Sequence, residues 1–455
     1  TDDWPRTRRP MPWALAAFMA MVWLIPFDSV SLPITLPLDA KLDRPLLIGT
    51  AGLWVLSLIG DRRRTVSRLR MSAVHWAILS LLVIALASIV LNDATAVRLN
   101  ELDPALRKLA LLFSYALLFT MVASAIKPTE VRNFTVFMVC LASITAVGAL
   151  IEFRTGYNVF FQSISPFFTV TQPGELGVVD SIGRKSIIGP TVHPLAVAMM
   201  MSLALPFALT GFLSSEERRV KVRYAAATAL YLAAAVATQR KTSFIAPGFG
   251  MLVLLAYRPR AVVKLLPIAA VLFVVVHFAA PGALGGITQQ LKPDNLTGVT
   301  STKDRQSDYA AIKPDIIQHP LLGRGWETYD QKKYRILDNQ YLSVVIGVGV
   351  LGVLSYLSIF LTIFLLAHRV ARAHDSPLAP TAIACGAAIS SLVIGSQLLD
   401  TLALPQLAYL ICFIGGLVVV ASQSVKKPAR HPALAPVPRA QMAEVASLRP
   451  RWLAD

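Results

Sequence analysis

Long apolar runs recur along the whole chain, and this feature restricts the fold more than any other. A helix needs roughly 20 mostly apolar residues to cross a bilayer. Twelve runs approach that length, at residues 12–29, 44–60, 72–92, 106–126, 130–152, 190–213, 223–239, 242–257, 264–281, 339–367, 376–397 and 401–423. Only 15% of the residues are charged, whereas a soluble globular protein carries about 25%. The sequence therefore predicts an all-α polytopic membrane helix bundle with about twelve transmembrane helices.

The distribution of positive charge predicts how the bundle is oriented. The net charge of +17 comes from short basic connections between alternate apolar runs, such as residues 62–70 and 218–223. A nucleic-acid-binding surface would need the basic residues on one face, so this pattern favours a membrane topology and no nucleic-acid partner. Basic connections are typical of the cytoplasmic side, and the alternation places both termini there. Residues 153–189 and 282–338 are then long external loops.

The predicted organisation has two parts. Residues 1–423 form the transmembrane bundle with its external loops. Residues 424–455 are rich in Pro, Ala and Arg without helical periodicity, which predicts a disordered basic cytoplasmic tail that is solvated or touches anionic membrane lipid. Within the second loop, Tyr309, Ile312 and Ile316 recur at helical intervals. Residues 304–318 are therefore expected to form an amphipathic helix on the outer surface.

Basic side chains also occur on the external side, where the topology rule disfavours them. Arg184 precedes the sixth run, Arg240 and Lys241 join the seventh and eighth, and Arg305 lies in the second loop. A guanidinium forms two parallel hydrogen bonds with a phosphate, so converging arginines would suit a lipid-linked phosphate or pyrophosphate. The alternative is that some of these side chains reach lipid headgroups. That alternative applies most to three residues of the second loop: Lys332, Lys333 and Arg335.

A carboxylate next to these cations is a candidate general base. Asp338 and Asn339 come directly before the tenth apolar run. Asp338 could accept the proton of an attacking hydroxyl, or it could simply cap the helix that begins there. Asn339 could orient a sugar hydroxyl or complete the cap. His193 is more readily explained by packing or hydrogen bonding inside the bundle than by catalysis.

Other patterns point to structure rather than chemistry. The glycines of the tenth run, Gly347, Gly349 and Gly352, form a small-residue face that predicts helix packing. The three cysteines lie in apolar runs without metal-ligand spacing, and no nucleotide-binding or metalloprotease motif is present. The sequence therefore predicts no metal site and no cofactor.

Four segments, in this order along the chain, resemble the O-antigen ligase and Wzy-type polysaccharide polymerase superfamily. They are Gly183-Arg184-Lys185 before the sixth run, Gln239-Arg240-Lys241 between the seventh and eighth, Asp304-Arg305 in the second loop, and the stretch HPLLGRGW (319–326), DNQYL (338–342) and Gly347–Gly352. The last of these is the most specific. The motifs cover roughly residues 180–360, and the hydropathy pattern covers the whole chain.

The resemblance implies a membrane glycosyltransferase of the GT-C type that needs no metal or cofactor. Its donor would be an oligosaccharide on undecaprenyl pyrophosphate, and its acceptor a glycan or glycolipid. In the roles implied, Asp338 is the general base and Arg305 stabilises the leaving group. The pyrophosphate is bound by Arg184, Arg240, Lys241 and Arg305, and candidate sugar or acceptor contacts are Asn339, Tyr309, Trp326 and His193. The family would act at the external face of the bacterial cytoplasmic membrane, with a chain-length regulator or a flippase as candidate partners.

The chain departs from the ligase pattern at Asp338, where family ligases generally carry a histidine before the asparagine. This difference favours a polysaccharide polymerase, with a ligase that moves the glycan to a lipid or wall acceptor as the alternative. Two other classes remain, a twelve-span solute transporter and a non-catalytic scaffold. Unequal loops and few intramembrane acids speak against a transporter, and a scaffold would not explain the arginines.

Overall fold

The chain is almost entirely helical in its computed structural model. The structure describes residues 3–31, 41–60, 71–170, 187–238, 240, 242–263, 300–330, 333–373 and 376–425. The helices in these ranges are α1 Pro10–Leu24, α2 Asp43–Gly60, α3 Ala73–Leu91, α4 Asp93–Arg98, α5 Leu102–Ala125, α6 Val131–Thr155, α7 Val159–Ile164, α8 Pro194–Ser214, α9 Arg218–Ala237, α10 Thr242–Tyr257, α11 Pro259–Val263, α12 Thr300–Gln318, α13 Gln340–Arg372, α14 Ala379–Gly395 and α15 Pro405–Ser424. Two short strands, β1 Val30–Ser31 and β2 Thr169–Val170, pair antiparallel.

The apolar runs of the sequence correspond to helices. Eleven of the twelve predicted runs contain one, and the ninth, 264–281, lies outside the described residues, as does the tail from residue 426. By length and composition, seven described helices can cross a membrane, namely α3, α5, α6 with the turn before it, α8, α9, α13 and α15. The apolar helices α1, α10 and α14 are shorter. An all-α polytopic membrane protein is thus supported, while the number twelve and the likeness to GT-C enzymes stay predictions.

Contacts between helix termini show which of them lie together at each of the two opposite ends of the bundle. At one end the start of α13 meets the end of α14, because the Gln340 backbone N–H donates to Ser396 O at 2.9 Å. We call this the Asn339 end. At the opposite end the Trp4 backbone N–H donates to the Glu130 carboxylate at 2.8 Å. Each predicted external connection within the described residues lies at the Asn339 end.

The most buried helices are α8 and α15, which form the centre of the bundle. Most of their side chains are buried, including those of Phe207 and Phe413. Helix α3, in contrast, exposes a row of apolar side chains, among them Val83 and Val90. An apolar helix face that packs against no protein is expected where lipid is the neighbour, since lipid tails accept it at no cost. The structure therefore shows a bundle with a protein core and an exposed apolar periphery, which is consistent with a membrane protein.

Helix α12 lies against the start of α13. Ile312 is fully buried in a small cluster with Leu337, Leu342 and Ile346, and Ile316 packs at its margin. Tyr309, by contrast, is 53% exposed. Only part of the apolar face expected from the sequence is thus packed on the bundle, and its placement on the outer membrane surface stays a prediction.

Candidate active site

A break in helix α13 receives the loop that precedes the helix. Gly349 has φ 66° and ψ −166°, a conformation outside the helical region, so the i to i−4 hydrogen bonds are interrupted there. The loop residues 320–325 supply the missing partners. Four backbone hydrogen bonds join the two segments: Arg324 N to Ile346 O (2.9 Å), Gly325 N to Gly347 O (3.0 Å), Val350 N to Pro320 O (2.9 Å) and Leu351 N to Leu321 O (3.3 Å). Non-helical backbone inside a membrane bundle is acceptable here because the loop satisfies the hydrogen-bonding groups that the break exposes.

The glycines of both segments are required by this close approach. A Cβ on Gly349 would overlap the carbonyl of Leu321, and its backbone conformation is one that almost only glycine adopts. A Cβ on Gly323, which has φ 64°, would lie 2.5 Å from Gly347 O. The prediction that Gly347 and Gly349 form a helix-packing face is therefore wrong. They let the loop backbone reach the helix backbone.

Side chains at the end of α3 and directly after it form hydrogen bonds with the other edge of the loop. The Trp326 backbone N–H donates to Ser88 Oγ at 2.9 Å, and Asn92 Nδ2 donates to Gly323 O at 3.3 Å. Trp326 itself is 4% exposed, and its ring packs within the main hydrophobic core. The loop is thus fixed between α3 and α13 at the Asn339 end.

An ion pair attaches the same loop to the α4–α5 junction. Arg324 Nη2 lies 2.9 Å from Glu101 Oε2, and both side chains are largely buried. The Tyr334 hydroxyl donates to Glu101 Oε1 at 2.6 Å, and the Arg324 guanidinium lies over the Tyr334 ring at 4.8 Å. Burial alone would lower the pKa of Arg324, but its contacts with Tyr334 and Glu101 raise it. Arg324 is therefore a structural cation of the loop.

Replacing Glu101 with glutamine is expected to destabilise the protein by about 2 kcal/mol. The variant leaves the largely buried Arg324 with only the more distant carboxylate of Asp315, at 3.8 Å, and partial exposure moderates the cost further. Thermal unfolding in detergent and proteolysis of loop 319–334 measure the effect. Asp103→Asn, an exposed acid two residues away, is the control and should match the parent protein. Equal stability of the two variants would contradict a structural role for the pair.

The start of α13 is capped by Asn339. Its Oδ1 accepts from the backbone N–H groups of Tyr341 (2.9 Å) and Leu342 (3.4 Å), and its Nδ2 donates to Gln397 Oε1 at 3.3 Å. The alternative that Asp338 is the helix cap is therefore wrong, because the cap is the next residue, Asn339. Asp338 is exposed and lies next to the cap. Its carboxylate is thus positioned by a fixed helix start without being needed to form it.

Residues 396–402 close over the first turn of α13. The buried Gln340 side chain accepts from the Leu402 backbone N–H (2.6 Å) and from Thr401 Oγ1 (3.2 Å). Ser343 Oγ donates to Asp400 Oδ2 at 3.0 Å. This network makes the helix start beneath Asp338 rigid, which a positioned catalytic group requires.

Arg240 lies at the same end of the bundle. It connects α9 and α10 in a tight turn, in which the Ser243 N–H donates to Arg240 O (3.1 Å) and the Thr238 and Ser243 hydroxyls lie 2.7 Å apart. Helix α10 packs closely against α14, since a Cβ on Gly250 would lie 3.1 Å from Ala387 O. The two helices are antiparallel, so the start of α10 is next to the end of α14, which Asn339 reaches through Gln397. Arg240 is partly exposed there.

Comparison with protein families matches residues 226–357 to the O-antigen ligase family. We call residues 226–357 the O-antigen ligase domain after this match. The match confirms the resemblance to the O-antigen ligase and polymerase superfamily, and it supports a membrane enzyme of this general type. The domain includes Arg240, helix α12, the loop docked at Gly349 and the start of α13. No curated protein matches the chain.

The structure describes some of the predicted site residues but not all of them. Arg240, Asp338 and Asn339 lie at the Asn339 end, as does His193, whose Nδ1 accepts from the Leu195 N–H at 3.2 Å and caps α8. The O-antigen ligase domain also holds Tyr309 and Trp326, the first exposed and the second buried. Arg184 and Lys241 lie outside the described residues, and so does the side chain of Arg305, whose backbone belongs to α12. The pyrophosphate-binding and sugar-contact roles of all these residues stay predictions.

The carboxylate of Glu327, in the loop docked on α13, was missed by sequence reasoning. Burial raises the pKa of Glu327, with Lys108 lowering it and Asp400 raising it again. Glu327 also has φ 54°, unusual for a residue other than glycine. A carboxylate with a perturbed pKa next to a cation is a candidate functional group. No sequence pattern marks Glu327 as a functional residue, apart from its position directly after the GRGW segment.

The described residues contain no group of three His, Cys, Asp or Glu side chains that could hold a metal ion. That the reaction needs no metal stays a prediction. The chemistry available at the Asn339 end is that of carboxylates, amides and basic side chains.

Proposed function

We propose that the chain transfers a glycan from undecaprenyl pyrophosphate at the external face of the bacterial cytoplasmic membrane, as a polysaccharide polymerase. The observation that carries the proposal is the position of the O-antigen ligase domain, whose docked loop and α13 start support an exposed Asp338 at the same end as Arg240. The basic connections of the sequence favour the opposite end as cytoplasmic.

In the proposed reaction the acceptor hydroxyl attacks the anomeric carbon of the donor sugar. Asp338 takes the hydroxyl proton as general base, and the bond to the pyrophosphate breaks. Arg184, Arg240, Lys241 and Arg305 stabilise the charge that develops on the leaving group. Stabilisation of this kind is usually the largest single contribution to catalysis. Both termini lie in the cytoplasm in this arrangement.

A ligase is the second candidate, because the matched family is described as O-antigen ligase. The polymer profile of a deletion strain separates the two functions. Loss of a polymerase leaves glycans of a single repeat unit on the acceptor. Loss of a ligase leaves long chains on the lipid carrier and none on the acceptor. A profile identical to that of the parent strain would contradict both.

Replacing Asp338 with asparagine is expected to lower glycan transfer about a hundredfold. The amide cannot accept the hydroxyl proton, and general bases contribute at least this factor. Stability should not change, because Asn339 caps α13 in the variant as well. Transfer is measured with purified protein and lipid-linked donor, and Asp93→Asn, an exposed acid at the same end, is the control. Full activity of the Asp338 variant would show that its carboxylate takes no proton.

A further inference from the structure

A polar cavity lies at the end of the bundle opposite Asn339, away from Asp338 and Arg240. Its volume is about 190 Å³, and it lies between the end of α8 and the starts of α6, α9 and α14. Its polar lining is one arginine, one tyrosine and five serine or threonine side chains. Since a water molecule takes about 30 Å³ in the liquid, the cavity has room for a small polar group but not for a drug-sized ligand.

Arg132 brings to the cavity a positive charge that no described carboxylate neutralises. The residue is exposed in the first turn of α6, and among the residues that the structure describes it forms neither a hydrogen bond nor an ion pair. The nearest acid in sequence, Glu130, is already paired with Arg9. Residues 216–223, between α8 and α9 and at the start of α9, add two acidic and four basic side chains, so the surroundings stay net positive.

The Tyr224 hydroxyl supplies a second donor, and its ring is held in place by α8. A Cβ on Gly211 would lie 2.5 Å from the Tyr224 ring, so only glycine lets the ring pack against α8 at this point. Arg132 lies within electrostatic range of Tyr224, and both residues line the cavity. In the described part of the chain the Tyr224 hydroxyl has no hydrogen-bond partner. A guanidinium and a hydroxyl are thus available together to bind a phosphate.

The serine and threonine side chains of the lining act mostly as acceptors. The Thr135 hydroxyl donates to Val131 O at 2.9 Å, and the Ser215 hydroxyl donates to Gly211 O at 2.7 Å. Thr210 donates in the same way within its own helix. Because a hydroxyl has one proton and two lone pairs, all three oxygens can still accept hydrogen bonds. The cavity therefore offers donors for an anion and acceptors for hydroxyl groups.

An exposed apolar row on α6 begins at the cavity. Val136 lines the cavity and is exposed, and Ile144, Val147 and Ile151 continue the row along the same face of the helix. Arg132 lies one turn before Val136, at the head of this row. Apolar side chains that pack against no protein in a membrane helix are expected to face lipid tails. A ligand with an anionic group in the cavity and acyl chains along the row would match both surfaces.

We propose that this cavity binds the headgroup of phosphatidylglycerol from the surrounding membrane. Its phosphate would accept from Arg132 and from the Tyr224 hydroxyl, and its glycerol hydroxyls would donate to the serine and threonine oxygens. Its acyl chains would lie along the exposed row of α6. The sequence predicts this end of the bundle to be cytoplasmic, and basic pockets between transmembrane helices on that side bind anionic headgroups. The binding is independent of glycan transfer.

The test measures lipid binding to the full-length protein by native mass spectrometry, in detergent, with phosphatidylglycerol or phosphatidylcholine of the same chain length. Phosphatidylglycerol should bind about tenfold more tightly, the factor that one hydrogen bond to a charged group contributes. Arg132→Gln should remove this preference. Tyr224→Phe keeps the ring over Gly211 and should weaken phosphatidylglycerol binding about threefold. Arg260→Gln removes an exposed cation at the same end, outside the cavity lining, and should bind like the parent protein.

Equal affinity of the parent protein for the two lipids, or an Arg132→Gln variant that binds phosphatidylglycerol as tightly as Arg260→Gln does, would overturn the proposal. If Arg132→Gln does not purify as a single species, Tyr224→Phe decides, and unchanged affinity in that variant would contradict the site. A soluble phosphate offers the same anion. If an equal concentration of glycerol 3-phosphate displaces phosphatidylglycerol, the cavity binds free phosphates and the lipid proposal fails. Glycan transfer is not part of this readout, so failure of the proposed function would leave the binding result unchanged.

Discussion

Replacing Gly349 with alanine is expected to destabilise the protein by about 3 kcal/mol or more, because no side chain fits where the loop crosses α13. A Cβ there would overlap the Leu321 carbonyl and lie 2.6 Å from Leu322 N. Both are backbone atoms held by hydrogen bonds on either side of the break, so they cannot move aside cheaply. The φ of 66° with ψ of −166° adds strain for any residue other than glycine.

The matched control for this variant is Gly248→Ala in the same domain. Gly248 lies within helix α10, and a Cβ there would have no atom within 4 Å. Alanine is a better helix former than glycine, so the control should be neutral or slightly stabilising. Thermal unfolding of both variants, followed by size-exclusion chromatography in detergent, measures the difference. A Gly349 variant as stable as the control would mean that the loop does not dock at the break in solution.

Hydropathy predicted the positions of the helices well but not the break in α13. The helices occupy eleven of the twelve predicted runs because length and apolar content decide whether a segment can span a bilayer. Hydropathy carries no information about φ and ψ. The glycines of this run also suggested a packing face, so the sequence offered no way to see that a loop enters there.

The candidate site was predicted in its position and less well in its details. The motif HPLLGRGW includes Arg324, but nothing in it indicates the partner of this arginine, because Glu101 is 223 residues away in sequence. A local pattern cannot reveal such a partner. At the start of α13, Asp and Asn are about equally good helix caps, so cap preference alone could not tell Asp338 from Asn339. The structure gives the cap to Asn339, which leaves the carboxylate of Asp338 available.

Replacing Arg240 with alanine is expected to lower glycan transfer by about a hundredfold to a thousandfold while the protein folds normally. In the proposed reaction Arg240 stabilises the pyrophosphate as it leaves, and loss of one such donor typically costs this factor. The turn that contains Arg240 is held by its backbone and by Thr238 and Ser243 rather than by its guanidinium. Unfolding temperature should therefore stay unchanged, which separates this variant from Gly349→Ala.

Two further variants make the prediction for Arg240 specific. Arg240→Lys keeps the charge but loses the planar fork, so transfer should fall by an intermediate factor of about ten. Arg258→Ala removes an arginine at the opposite end of the bundle, where it donates to Ser214 Oγ at 2.8 Å, and transfer should match the parent protein. Initial rates with a lipid-linked donor in nanodiscs provide the measurement. If Arg240→Ala and Arg258→Ala transfer glycan equally well, Arg240 does not bind the pyrophosphate, and the leaving group must be stabilised by other residues of the Asn339 end.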